Sequence, residues 1–483
     1  MRMYIFTKRK ENYMKRICKT LLLAAVIMAL LAATAFAADF THCADALKDL
    51  GLFSGSDKGY ELDRAPTRLE AGVMLVRLLG QEENAKALAD NYTAPFTDVK
   101  PWAYGYVQYL YDNGLSKGQG GGLFGSDSPC TAQQYATFLL RALGYTDSGT
   151  TPDFTYANAL TFATHKGVAD ELNCDQSNFL RGNLAAMSYT ALSVSPKTGE
   201  ADLLTKLTAD GAIADAKGYD KKFEALRAFD AASLKANDAD AMAFKMNMDM
   251  GMSVAGETIA IKANVDAKAV VDTENFDNTK MSMTMKMEAE GETMNANCYF
   301  ANGAMYMDMA GEKVKMDFPL QEMVGELMAG ASTGAGSKTP LCMVKDATAS
   351  TANGETTYTV SCSPETVSSL IEEVMSNSGI MDAAISSAMT EAGVSAGNAE
   401  MEAMMNELLK SIQLTADKMD IAVTLKGEDV TGMAFDMGMS MSVVGETMKM
   451  TLKASITDIV TEGVTVTLPT DLNTYVDMMA AEG

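Results

Sequence analysis

The sequence predicts a multidomain chain. An all-α region of repeated helical pairs comes first, and an α+β domain built on a curved antiparallel sheet with inserted helices follows. Three observations predict this. Up to about residue 236, apolar residues recur at helical spacing and the helical pairs repeat. From Ala241 the period changes to two, with turn signals between short runs. At 483 residues and 47% hydrophobic content, the chain is long and apolar enough for more than one core.

Residues 1–37 read as an export leader. Arg2, Lys8, Arg9, Lys10, Lys15, Arg16 and Lys19 form a basic start, Leu21–Ala33 an apolar run, and Ala35-Phe36-Ala37 a small-residue cleavage site. Seven basic residues and one acidic residue leave with it, taking the net charge from −24 to −30. A chain so acidic is a poor nucleic-acid binder. Beyond the leader, no stretch has the ~20 consecutive apolar residues that a membrane helix needs.

The best-defined unit is Phe96–Gly144, a helix, a glycine-rich turn and a second helix. Trp102–Asn113 places Ala103, Tyr106, Val107 and Leu110 on one stripe, and Gly114 stops it as a left-handed C-cap. Thr131 is a good N-cap for Ala132–Leu143, whose stripe runs through Tyr135, Phe138, Leu139 and Leu143. The pattern recurs upstream. Cys43–Leu50 is a short helix, Tyr60 stands before Thr67 as Phe124 stands before Thr131, and Thr67–Gly80 has the length of Thr131–Gly144. It recurs downstream in a more diverged form, as the helix Thr155–Lys166 and a second helix opening at Leu180-Arg181-Gly182-Asn183.

The residues F-T-D-V, W-A six positions after the Phe, L-Y-D-N-G, an aromatic after the loop and L-L-R-A-L-G resemble the S-layer homology (SLH) repeat. Bacterial exoproteins use that module to bind cell-wall polymer. The resemblance implies three repeats, at about 40–81, 94–146 and 152–196, packed as a pseudo-threefold bundle within residues 38–196. It also implies a secreted protein held at the cell wall or S-layer. Its partner would be a secondary cell-wall polymer, a pyruvylated or otherwise anionic glycan. The family's ligand motif maps onto Thr67, Arg68 and Glu70 in the first copy, Trp102 in the central copy and Arg181 in the third. The central copy has Thr131-Ala132-Gln133-Gln134 and lacks the arginine, so one or two competent grooves are expected, not three. A guanidinium at a helix N-terminus offers a forked donor beside unpaired backbone N–H groups, and an aromatic face can stack on a sugar. Read without the repeat, Arg68 and Glu70 are a solvated helix start and Trp102 a core residue. Arg77 and Arg141 read as structural.

Residues 197–236 read as a helical connector, with helices at Ala201–Ala212 and Lys221–Ala236. Residues 237–483 form the methionine-rich domain. A first hairpin turns at Ala255-Gly256-Glu257, and three more strands turn at Glu290-Gly291, Asn302-Gly303 and Ala310-Gly311. A hairpin around Asn353-Gly354 is flanked by Cys342 and Cys362, which could bridge in an exported protein or remain as two buried thiols. Helices are expected at Leu320–Ala329, Pro364–Ser376 (capped by Ser363) and Glu400–Leu414. Strands return at Thr415–Leu425, Gly432–Val443, Thr447–Thr457 and Val464–Leu468. The strand order resembles the half-barrel sheet of LolA and LppX-type lipoprotein carriers.

Methionines alternate at 246–252, 281–287, 305–309 and 437–441, so each set lies on one strand face. Core packing, a deformable lining for a lipid or other apolar ligand, and thioether capture of Cu(I) all fit that pattern. The only histidines, His42 and His165, lie outside this domain. No nucleophile elbow or P-loop is present, no acid/base pair stands out and nothing calls for a cofactor, so the chain is not expected to be an enzyme. The alternatives are a structural S-layer protein with a spacer domain, a copper-binding surface protein and an unrecognised hydrolase.

Overall fold

A computed structural model describes residues 39–199, 201–237, 240–254, 257–272, 274–289, 291–309, 311–318, 338–377, 413–443 and 446–477. The expected leader, the helix at 320–329, most of the helix at 400–414 and the tips of four turns lie outside the described residues.

The N-terminal part is helical. Its elements are α1 (Thr41–Asp49), α2 (Arg68–Leu78), α3 (Glu82–Lys86), α4 (Tyr104–Asp112), α5 (Ala132–Ala142), α6 (Ala159–His165), α7 (Arg181–Leu192), α8 (Leu203–Ala209) and α9 (Tyr219–Asn237). The start of α4 differs from expectation. Pro101 favours a 3-10 turn over Pro101–Ala103, so Trp102 precedes the helix rather than opening it. The helices bury their stripes on one another. Leu75, Leu110, Phe124, Tyr135 and Phe138 are almost fully enclosed. At α4, Gly105 lies so close to α3 that an added Cβ would sit 2.1 Å from the Ala85 carbonyl oxygen.

The C-terminal part is one large open sheet. Its strands are β1 (Ala241–Val254), β2 (Glu257–Val270), β3 (Lys280–Ala289), β4 (Glu292–Ala301), β5 (Ala304–Met309), β6 (Glu312–Asp317), β7 (Val344–Ala352), β8 (Glu355–Cys362), β9 (Gln413–Lys426), β10 (Asp429–Val443), β11 (Glu446–Val460) and β12 (Val476–Asp477). They run in the order β12-β6-β5-β4-β3-β2-β1-β11-β10-β9-β8-β7, antiparallel except for the β12–β6 pair. Four strands, not three, follow the first hairpin. Val464–Leu468 alternates like a strand but pairs with nothing among the described residues, and the short β12 takes the edge instead. Asn302-Gly303 and Asn353-Gly354 both have positive φ at the two turn positions, the type I′ geometry that the dipeptide favours.

Period two divides the sheet into faces. Met248, Met287 and Met294 face the apolar side across β1, β3 and β4, with Ala263 of β2 between them. At the β9–β10 end, Met419, Met437 and Met439 are buried in the common core, where α10 (Pro364–Asn377) packs on β9. At the β1–β5 end most of the methionines are only half-buried. Ser363 caps α10 as expected, accepting a hydrogen bond from the Thr366 N–H at 3.3 Å.

The helical part and the sheet share one hydrophobic core. Helix α9 lies on β7, β8 and β9, and its buried Lys222 donates from Nζ to the Val344 and Lys345 carbonyls, each at 2.8 Å. Cys342 and Cys362 are both free thiols. The strand register explains this. Cys362 pairs with Val344, whereas Cys342 stands in a 3-10 turn over Leu341–Met343 that faces the helices, with its thiol 4.0 Å from Asp170 Oδ1.

Candidate functional site

Thr67 and Thr131 end their preceding loops as N-caps. Thr67 Oγ1 accepts from the Glu70 N–H at 3.2 Å, and Glu70 Oε2 accepts from the Thr67 N–H at 2.8 Å. Thr131 and Gln134 repeat this reciprocal cap at 3.2 and 3.4 Å. At α7 the cap residue is Leu180, which has no acceptor, and Asn183 Oδ1 alone takes the Leu180 N–H at 2.9 Å.

These helix starts dock on the loops of other helical pairs. The Arg68 N–H donates to Ser128 and the Leu69 N–H to Ser126, while Arg68 Nε donates to the Phe124 carbonyl at 2.9 Å. The start of α7 does the same one unit away. The Arg181 N–H donates to Arg64 and the Gly182 N–H to Leu62, while Arg181 Nε donates to the Tyr60 carbonyl at 2.9 Å. Tyr60 and Phe124 are the residues that the sequence aligns, and the backbone acceptors stand two and four positions after each.

Both guanidiniums are enclosed. Arg68 is 5% exposed and lies over the rings of Phe138 and Phe124, at 4.7 and 5.5 Å from their centroids. Arg181 is 9% exposed, lies 5.7 Å from the Phe53 ring centroid and comes within 3.4 Å of Glu70 Oε1. Burial lowers the pKa of both guanidiniums from the ordinary value.

Arg64, which the sequence reading missed, completes the second cluster. It grips Glu70 with two hydrogen bonds, at 2.9 and 2.6 Å, and its side chain stays 38% exposed. Burial alone would raise the Glu70 carboxyl, but hydrogen bonds from Arg64 and the Thr67 N–H hold it below the usual carboxylate range. Asp98, the acid of F-T-D-V, also has a definite task. It accepts from the N–H groups of Phe124 and Gly125 at 2.7 Å and of Ser126 at 2.9 Å, fixing the loop on which Arg68 docks.

The predicted residues therefore divide. Thr67, Glu70 and Arg181 converge with Arg64. Arg68 sits at the neighbouring seam. Trp102 is 61% exposed, and its ring neighbour is Tyr106, with centroids 6.5 Å apart. Arg77 and Arg141 are tied to Glu82 and Asp147 at 3.0 and 2.5 Å.

Residues 95–136 match the S-layer homology domain family. The chain carries an SLH domain. Its relatives include a cell surface protein of Thermoanaerobacter kivui, 33% identical over 141 residues, which are 29% of this chain and 18% of that protein. A middle cell wall protein of Brevibacillus brevis is 29% identical over 162 residues, 32% of this chain and 15% of that protein. An endoglucanase of Bacillus sp. (strain KSM-635) is 37% identical over 82 residues, 17% of this chain and 8% of that enzyme. The chain thus matches less than a fifth of each relative's length. Among solved structures, LprF from Mycobacterium bovis is 12% identical at a TM-score of 0.24, covering 51% of this chain and 96% of that one. The SLH domain and the surface-protein relatives support a secreted, cell-wall-associated surface protein. No helix among the described residues is long and apolar enough to cross a membrane.

Proposed function

We propose that residues 38–196 are three SLH repeats packed about a pseudo-threefold axis, and that they hold the protein on the wall by gripping an anionic secondary cell-wall polymer. The observation that carries this reading is the repeated seam: Arg68 on the Phe124 carbonyl and Arg181 on the Tyr60 carbonyl, with matching backbone acceptors. The proposed polymer contacts are Thr67, Arg68, Glu70, Trp102 and Arg181, joined by Arg64. Arg68 and Arg181 spend their Nε donors inside the protein, so a pyruvate ketal or phosphate would meet the outer edges of the forks, with Arg64 the most accessible cation. Trp102 offers an open face for a sugar. In the same proposal residues 197–236 form a connector and 237–483 a displayed domain. The half-buried methionines at the β1–β5 end support an apolar ligand or partner on that face.

Sedimentation with purified wall sacculi tests the anchoring. Arg64→Ala with Trp102→Ala should lower the bound fraction, and because Arg64→Ala also removes two hydrogen bonds from Glu70 the variant is compared at a temperature where circular dichroism shows it folded. Arg68→Ala with Arg181→Ala should abolish sedimentation, compared at a temperature where circular dichroism shows the variant folded. If both pairs sediment like the parent protein, the assigned seams do not bind polymer.

A further inference from the structure

The polar face of the sheet carries an open groove of about 520 Å³ across β1–β4 and the edge of β11. The strand register builds it as rows. Asn247, Asn264, Lys286 and Asn295 are successive cross-strand partners on β1, β2, β3 and β4. The next row runs Lys245, Asp266, Thr284 and Asn297. Adjacent strands lie ~4.8 Å apart, so each row presents a polar side chain at intervals close to one sugar ring.

The four asparagines are exposed, and no carboxamide among them has a hydrogen-bond partner among the described residues. Each carries two donors and an acceptor, the complement of a vicinal diol or an acetamido group. The two lysines are already paired, Lys245 with Asp458 at 2.8 Å and Lys286 with Glu288 at 2.6 Å. Asp266 stands opposite Lys245. The groove therefore has no surplus positive charge for a polyanion, and no acidic cluster for a cation. One row further along the same face, Tyr299 pairs with Tyr306, whose ring meets that of Tyr475 edge-on at 5.5 Å. Amides beside a half-exposed tyrosine pair suit a neutral sugar chain, which offers hydroxyls to the first and C–H faces to the second.

We propose that this face of the sheet binds a neutral, hydroxyl-rich glycan, separately from the arginine seams of the helical part. Titration of the full-length protein with chitohexaose and with cellohexaose, read by calorimetry, tests it. Saturable binding of either is expected. Preference for chitohexaose assigns the site to an acetamido-bearing wall strand, and equal binding assigns it to hydroxylated chains generally. Asn264→Ala with Asn295→Ala, and separately Tyr299→Ala, should each weaken binding at least about tenfold. Arg64→Ala should leave it unchanged, so that failure of wall anchoring and failure of this site are distinguishable. The exposed asparagine substitutions leave stability within about 0.5 kcal/mol, and a thermal melt checks that the variant at the half-buried Tyr299 is folded under the assay conditions. No saturation by the parent protein up to about 10 mM, unchanged binding by both variants, or displacement of the sugar by dextran sulfate would overturn the proposal.

Discussion

Asp98→Asn isolates one carboxylate that organises the central loop. The ionised side chain accepts three backbone N–H groups, at 2.7, 2.7 and 2.9 Å. Burial alone would raise its pKa, but those bonds outweigh it and hold the carboxyl below the usual range. An asparagine is nearly the same size but has one acceptor oxygen and no charge, so at least one N–H of Phe124, Gly125 or Ser126 loses its partner. Hydrogen bonds to a charged group are worth about 1.5–3 kcal/mol, and the partial exposure of Asp98 reduces that, so a loss of about 2 kcal/mol is expected. The sole tryptophan, Trp102, sits beside α4 and reports this region by fluorescence during urea unfolding at pH 7. The pH dependence gives an independent check. A carboxyl with a depressed folded-state pKa stabilises above its unfolded value of about 3.9, and that stability disappears as pH falls through the folded value. The gap between parent and variant should therefore close below about pH 4. A gap under about 0.5 kcal/mol at pH 7, or one that persists in acid, would refute the assignment of Asp98 as the loop's anchor.

Two further outcomes follow from the junction and the sheet. Burial pulls the Lys222 ammonium down to about 8. The unfolded chain then holds the extra proton between pH 8 and about 10.4, and stability should rise by on the order of 3 kcal/mol across that window. Lys222→Met should flatten the rise, and parallel pH profiles in chemical denaturation would contradict it. For the methionine face, solvent extraction of the purified protein followed by mass spectrometry should recover a bound lipid. Its absence would favour a sheet that acts only as a spacer.

The sequence made local features legible and left distant ones hidden. Thr67 with Glu70 and Thr131 with Gln134 are reciprocal caps three residues apart, so both helix starts could be read directly. Asn302-Gly303 and Asn353-Gly354 fixed their turns for the same reason, since few dipeptides accept positive φ twice. The pairing of β1 with β11 could not be read, because it joins residues about two hundred positions apart and nothing local encodes it. Val464–Leu468 misled because alternation describes a half-buried surface, while a strand also needs a partner. Arg64 and Asp98 sit in loops, outside any periodicity. Their roles depend on which backbone and side-chain groups the tertiary fold brings within reach.

The seams also differ in a way that bears on the proposed anchoring. Where α2 and α7 carry an arginine after the cap, α5 carries Ala132, which is buried. Seven positions before the cap of α7, where the other loops have Tyr60 and Phe124, stands Asn173. It is fully enclosed and donates to the Val168 carbonyl, Asp170 Oδ2 and Thr190 Oγ1 at 3.4, 3.0 and 3.3 Å. On α5 itself, Tyr135 is fully enclosed, sharing a 2.5 Å hydrogen bond with Ser188 of α7 and packing on Phe179. A guanidinium there would enter enclosed, hydrogen-bonded surroundings and would have to give up its hydration to do so. The loss of arginine from the central unit is thus matched by a seam that has closed around other side chains. On the proposed reading, a wall polymer has cations to meet at the two arginine seams, and the third serves only to hold the helices together.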